Sequence, residues 1–150
     1  MNYKKRNKNL VIIQNSLKAK SFKEKFKKNI GGYITTSGTK ALEIIKHYPQ
    51  FSQIFIPLDL NDMDYSDFIK FAIRYLPYSD YILIAPLGLS NLDWLVHGKE
   101  IDGYIQEPLS VEKFSNYLDS LYNNRIKFGD SGTFPRKTNP YFSGSMCSRG

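Results

Sequence analysis

Asn9-Leu10-Val11-Ile12-Ile13-Gln14 is the stretch that decides how this chain is read. Four apolar residues in a row, three of them β-branched, suit a strand buried on both faces, because such a strand has no polar side to present to water. Directly behind it Ala19, Phe22, Phe26 and Ile30 recur at helical spacing with lysines between them, and Gly31-Gly32 stand where such a helix stops. A buried strand followed by a basic amphipathic helix therefore opens the fold.

The alternation continues along the chain. Tyr33 to Thr36 reads as a second strand and Gly38 as a turn, while Ala41, Leu42, Ile44 and Ile45 form one side of a helix that ends before Pro49. Further strands are expected over 53–58, 81–85 and 103–106, each followed by a helix, over 66–75, 91–96 and 110–122. Five strand–helix units predict right-handed crossovers and hence an α/β fold, a five-stranded parallel doubly wound sheet with helices on both faces. In such a sheet the working residues sit just past the carboxyl ends of the strands.

The chain has 150 residues, 41% of them hydrophobic, enough for one ordinary core. Cys147 is the only cysteine, so neither a disulfide framework nor a cysteine-based zinc site can form within one chain. The apolar run from Leu10 to Ile13 is too short for a signal sequence or a membrane span, which gives the expectation of a cytoplasmic protein without membrane insertion.

The net charge of +7 is unevenly spread. Residues 1–28 hold ten Lys or Arg against Glu24 alone, residues 29–124 are acidic on balance, and residues 125–150 are basic again. From Phe128 onward there is no Val, Ile or Leu. The expected organisation is a basic arm over 1–8, a folded domain over 9–124 and a flexible basic tail over 125–150. Neither a glycine-rich phosphate loop nor a cluster of metal-ligating residues is visible, so no cofactor and no metal are expected.

Three strings set the chain beside a known family: Thr36-Ser37-Gly38-Thr39-Lys40-Ala41-Leu42 after the second strand, Asp59-Leu60-Asn61-Asp62-Met63-Asp64 after the third, and Gly103-Tyr104-Ile105-Gln106-Glu107-Pro108 around the fifth. Together with the order of elements they resemble the response-regulator receiver family, with its flavodoxin-like (βα)5 fold, over residues 9–122. The resemblance implies a phosphoryl group carried on an Asp after the third strand, with Mg²⁺ held by that Asp and by an acidic pair after the first. Carboxylate and phosphate repel, so a divalent ion is needed between them.

Most of that pocket is altered here. Gln14 and Asn15 stand where the acidic pair belongs, Ala85 replaces the hydroxyl residue after the fourth strand, and Glu107 replaces the lysine before the retained Pro108. Two alignments of the third strand remain open: one places Asp59 at the acceptor position, the other Pro57. The other acids nearby, Asp62, Asp64 and Asp67, suit a loop and helix start, where carboxylates cap amides. His47 and His97 suit helix ends.

The resemblance implies a degenerate pseudo-receiver, a non-enzymatic signalling module that acts by protein–protein interaction. Its partner would be an effector or a kinase-type signalling protein, with a homodimer also compatible. In resembling domains partners meet the fourth helix, fifth strand and fifth helix, which here makes Trp94, Tyr104, Phe114 and Tyr117 candidate contacts; Trp94 equally suits the core. Two alternatives stand beside this: an atypical response regulator phosphorylated on Asp59, and a nucleic-acid or anionic-surface binder working through Lys4, Lys5, Arg6, Lys8 and the lysines of the first helix. Against nucleic acid, no helix-turn-helix, zinc finger or aromatic-lined sheet is visible.

Overall fold

The structure, a computed structural model, describes residues 9–29, 31–89, 101–122 and 131–133. Its elements follow the chain as β1 (Asn9–Ile12), α1 (Ser16–Asn29), β2 (Tyr33–Thr35), α2 (Gly38–His47), β3 (Gln53–Pro57), α3 (Tyr65–Ala72), β4 (Asp80–Ala85), β5 (Gly103–Gln106), α4 (Val111–Tyr122) and β6 (Ser131–Thr133). The strands form one sheet in the order β2-β1-β3-β4-β5-β6. The first five are parallel, as the alternation of strands and helices predicts.

Burial on both sides explains why β1, β3 and β4 read as unbroken apolar runs. On one face Leu10, Ile12, Ile54, Ile56, Tyr81 and Leu83 pack under α2 and α3. On the other, Val11, Phe55, Ile82, Ile84 and Ile105 meet Phe26 of α1 and Phe114, Tyr117 and Leu118 of α4. Successive side chains along a strand thus divide between two cores. The second core is built on rings: Phe114 lies 4.7 Å from Phe55 and 5.8 Å from Phe26, centroid to centroid, both edge-on, the arrangement that ring quadrupoles favour.

The two glycines after α1 serve different ends. Both have positive φ, +90° at Gly31 and +133° at Gly32. A Cβ on Gly31 would enter open space, whereas one on Gly32 would collide with the carbonyl oxygen of Asn9 as β2 comes in beside β1.

One difference from the sequence reading stands out. Residues 131–133, expected in a flexible tail, form β6, which pairs antiparallel with β5 and makes the sheet six-stranded. Ser-Gly-Thr has no apolar alternation to announce a strand, so pattern reading passes over it. The helix expected over 91–96 lies outside the described residues, as do the arm over 1–8 and Cys147. No helix among the described residues is long and apolar enough to cross a membrane.

The packing yields stability predictions, measurable by urea denaturation. Phe114→Ala loses about 3–5 kcal/mol, the usual range for a buried ring. Gly31→Ala loses about 1 kcal/mol through left-handed strain alone, and Gly32→Ala roughly 1–3 kcal/mol more through overpacking against β1.

Candidate functional site

The strand order reverses direction at β1, which has β2 on one side and β3 on the other. Chains leaving β1 and β3 diverge there, opening the crevice where ligands of such sheets bind. The residues that fill this crevice define the candidate site.

Gln14 follows β1 and reaches across to the loop after β3. Its side-chain oxygen accepts from the Asn61 amide at 2.7 Å and its Nε2 donates to the Asp59 carbonyl at 3.2 Å. Both ends of the amide are therefore engaged, and the side chain ties the β1 exit to the β3 exit. Asn15 turns the other way: its Oδ1 accepts from the amides of Leu17 and Lys18, each at 3.0 Å, capping the start of α1.

At β3 the strand's last residue is Pro57, and the ladder extends to the Leu58 amide, which donates to the Ile84 carbonyl at 2.8 Å. Asp59 comes next, exposed in the turn, and it is its main-chain carbonyl that Gln14 holds. Ala85 is fully buried at the end of β4, so no side-chain donor faces the crevice from that strand. Glu107 is half-buried after β5; its amide donates to the Ala85 carbonyl at 2.8 Å, and its peptide bond to Pro108 is cis.

Two neighbours stiffen the surrounding loops. Gln106 donates from Nε2 to the carbonyls of Pro86 at 3.1 Å and Leu89 at 2.6 Å, while its own carbonyl accepts from Lys113 Nζ at 2.7 Å. Asp62 crosses from the β3 loop to the start of α2, accepting from the amides of Gly38 and Thr39 at 3.1 and 3.0 Å and from the Thr39 hydroxyl at 2.8 Å. Burial alone would raise its carboxyl, yet the bonds from Thr39 and Gly38 outweigh that and hold it below the usual carboxylate range. Gly38 permits the approach, since a Cβ there would press on Leu60, Asp62 and Met63 at 3.0–3.2 Å.

No family profile matches the sequence, and no curated protein matches it. Solved structures do. A response-regulator receiver domain from Clostridium thermocellum superposes with a TM-score of 0.65 at 17% identity, covering 79% of this chain and 95% of that one. The receiver domain of a Francisella response regulator gives 0.63 at 20% identity, covering 79% and 98%. A CheY-like receiver domain from Methanospirillum hungatei gives 0.64 at 16% identity, covering 79% and 94%. The chain has the receiver fold.

On that fold the positions singled out in the sequence converge: Gln14, Asn15, Asp59, Ala85 and Glu107 all lie at the carboxyl ends of β1, β3, β4 and β5. The donor set does not fit a hard divalent cation, because the Gln14 amide is spent on the β3 loop and the Asn15 oxygen on α1, and neither brings a negative charge. Among the described residues no group of three His, Cys, Asp or Glu is placed to hold a metal.

The candidate partner contacts need correction. Tyr104, Phe114 and Tyr117 are all buried, Phe114 completely: α4 turns Phe114 and Tyr117 onto the sheet, and β5 places Tyr104 in the core of the opposite face. Trp94 and His97 lie outside the described residues, and His47 sits in the last turn of α2, its Nδ1 2.9 Å from the Glu43 carbonyl. What the surface does offer is a cleft of about 570 Å³ between α1 and the loops after β4 and β5, walled by Leu17, Lys18, Phe22, Lys25, Leu87 and Glu107. Leu17 and Leu87 are 78% and 72% exposed at its rim.

The Asp62 cap sets a pH dependence. A carboxylate whose folded pKa is lowered stabilises fully above its unfolded value, about 4, and loses that contribution as pH falls through the folded value. Asp62→Ala should therefore cost about 1 kcal/mol at neutral pH, a difference from wild type that shrinks on acidification. A difference that stays constant through the acid range contradicts the assignment.

Proposed function

We propose that this chain is a signalling module of the cytoplasm that acts by binding a protein partner and does not pass through the Mg²⁺-dependent phosphorylated state. The observation that carries this reading is the double engagement of Gln14. A receiver needs mobile, negatively charged oxygens after β1 to hold its metal; here the corresponding side chain is a neutral strut between two loops. Glu107 adds a carboxylate where a cation would steady phosphoryl oxygens, so an anion approaching the crevice meets repulsion.

Incubation of the purified chain with acetyl phosphate, with and without Mg²⁺, tests this by mass spectrometry. The expected result is no covalent gain under either condition. A Mg²⁺-dependent gain mapped to Asp59 would establish the other reading, an atypical response regulator, which the exposure of Asp59 in its turn keeps accessible to a phosphodonor.

Binding without phosphorylation requires a surface that is available at all times, and the cleft beside α1 supplies one. Its exposed leucines offer apolar area for a partner segment. In a capture experiment from the native cell extract, Leu17→Asp combined with Leu87→Asp should reduce recovery of the partner about tenfold, equivalent to roughly 1.4 kcal/mol, while leaving the circular dichroism spectrum unchanged. Undiminished capture would move the contact to another face.

A further inference from the structure

Among the described residues, the tyrosine and phenylalanine rings that stand exposed all lie at one end of the molecule. They are Tyr33, Tyr48, Phe71, Tyr75 and Tyr78, between 38% and 56% exposed. Tyr33 begins β2, Tyr48 follows α2, Phe71 lies in the last turn of α3, and Tyr75 and Tyr78 lie on the way from α3 to β4. In a parallel sheet with helical crossovers the helices end where the next strands begin. These rings therefore share the amino edge of the sheet, at the end opposite the crevice. The register sets Tyr33 beside Leu10, Leu10 beside Ile54 and Ile54 beside Tyr81, so the edge from β2 to β4 is three strand spacings wide, about 14 Å.

The same edge gathers positive charge in the otherwise acidic middle of the chain. Lys46 lies in the last turn of α2, Lys70 in the last turn of α3 and Arg74 just beyond it, all exposed. Neither residues 44–58 nor residues 68–79 include an Asp or Glu. Asp62, Asp64 and Asp67 belong to the other end of this face, and Glu43 stands one turn back along α2, 3.8 Å from His47. Asp80, which begins β4, and Asp102, just before β5, are buried. Cations at helix C-termini complement the helix dipole, which accounts for their place but leaves the exposed rings unexplained. Arg74 joins the two features: its guanidinium carbon lies 5.2 Å from the Phe71 ring centroid, and a guanidinium held over a ring retains its N–H donors for phosphate.

The occupant has to use rings and cations together. An acidic peptide engages the cations but brings no planar groups to the rings. Lipid tails take up side chains that project, whereas these rings are half-buried, and four of the five carry a hydroxyl. Unpaired bases joined by phosphates match both features. We infer that this edge binds single-stranded nucleic acid, bases stacking on Tyr48, Tyr75 and Tyr78 and phosphates meeting Lys46, Lys70 and Arg74. A duplex keeps its bases stacked on one another and offers this surface phosphates alone. The edge is separate from the basic arm, from the crevice and from the cleft beside α1, so the inference stands independently of the partner-binding reading.

Fluorescence anisotropy of the full chain with fluorescein-labelled dodecamers of oligouridylate and oligothymidylate tests it, beside a duplex of the same length, dextran sulfate as a polyanion without bases, and phosphatidylserine vesicles. Tyr48→Ala/Tyr75→Ala should lower single-strand affinity by more than about tenfold, with an unchanged circular dichroism spectrum and unchanged binding of duplex and dextran sulfate. Tyr48→Phe/Tyr75→Phe, which keeps the rings, should retain the affinity. Lys70→Gln/Arg74→Gln should make the fall of log affinity with log salt shallower by about 1.4, two single-strand phosphate contacts. Binding of one dodecamer and not the other supports the inference and names the nucleic acid as RNA or DNA. Absence of single-strand binding at low salt overturns it. So does single-strand binding that the alanine variant leaves unchanged, or a requirement for the rings seen with vesicles and not with the dodecamers.

Discussion

The side-chain amide of Gln14 spans the one place in this sheet where two neighbouring strands send their chains apart. With both faces of β1 and β3 buried, the loops that leave them meet at the carboxyl edge. Gln14 closes them by imitating a short piece of ladder, accepting from Asn61 and donating to Asp59. Asp62 then carries the same loop onto the start of α2, and Asn15 begins α1 at the next residue. Gln14 and Asn15, at the carboxyl end of β1, thus both bond to neighbouring main chain.

The altered positions reinforce one another. On the proposed reading, a neutral amide after β1 lacks the charge that would draw a cation in, Ala85 lacks a hydroxyl to follow a phosphoryl group, and Glu107 opposes an incoming anion. Ala85 is fully buried at the end of β4, and Tyr104 packs into the core on the α2–α3 side of the sheet.

Much of the fold was legible because burial on both faces writes itself into the sequence as uninterrupted runs such as Leu10 to Ile13 and Tyr81 to Ala85. The crevice residues were legible for the same reason, since each follows a strand whose end could be read. Asp62 was legible as a cap, but the helix it caps is α2, 23 or 24 residues earlier in the chain, a tertiary contact that local patterns cannot indicate. β6 was hidden because its pairing rests on backbone groups that every residue carries. The burial of Phe114 and Tyr117 could have been found: with Leu118 they recur at the three- and four-residue spacing of a core stripe, a signal stronger than the analogy that set them on a partner surface.

The central claim, that the amides after β1 serve as struts and not as ligands, is tested most directly by following the side-chain and backbone resonances of Gln14, Asn15, Asp59 and Asn61 in a ¹H–¹⁵N correlation spectrum through a Mg²⁺ titration. The account predicts a Gln14 side-chain NH₂ shifted from the free amide position and unmoved by the metal, with no saturable change at the other three residues. Saturable shifts confined to these four residues would contradict it.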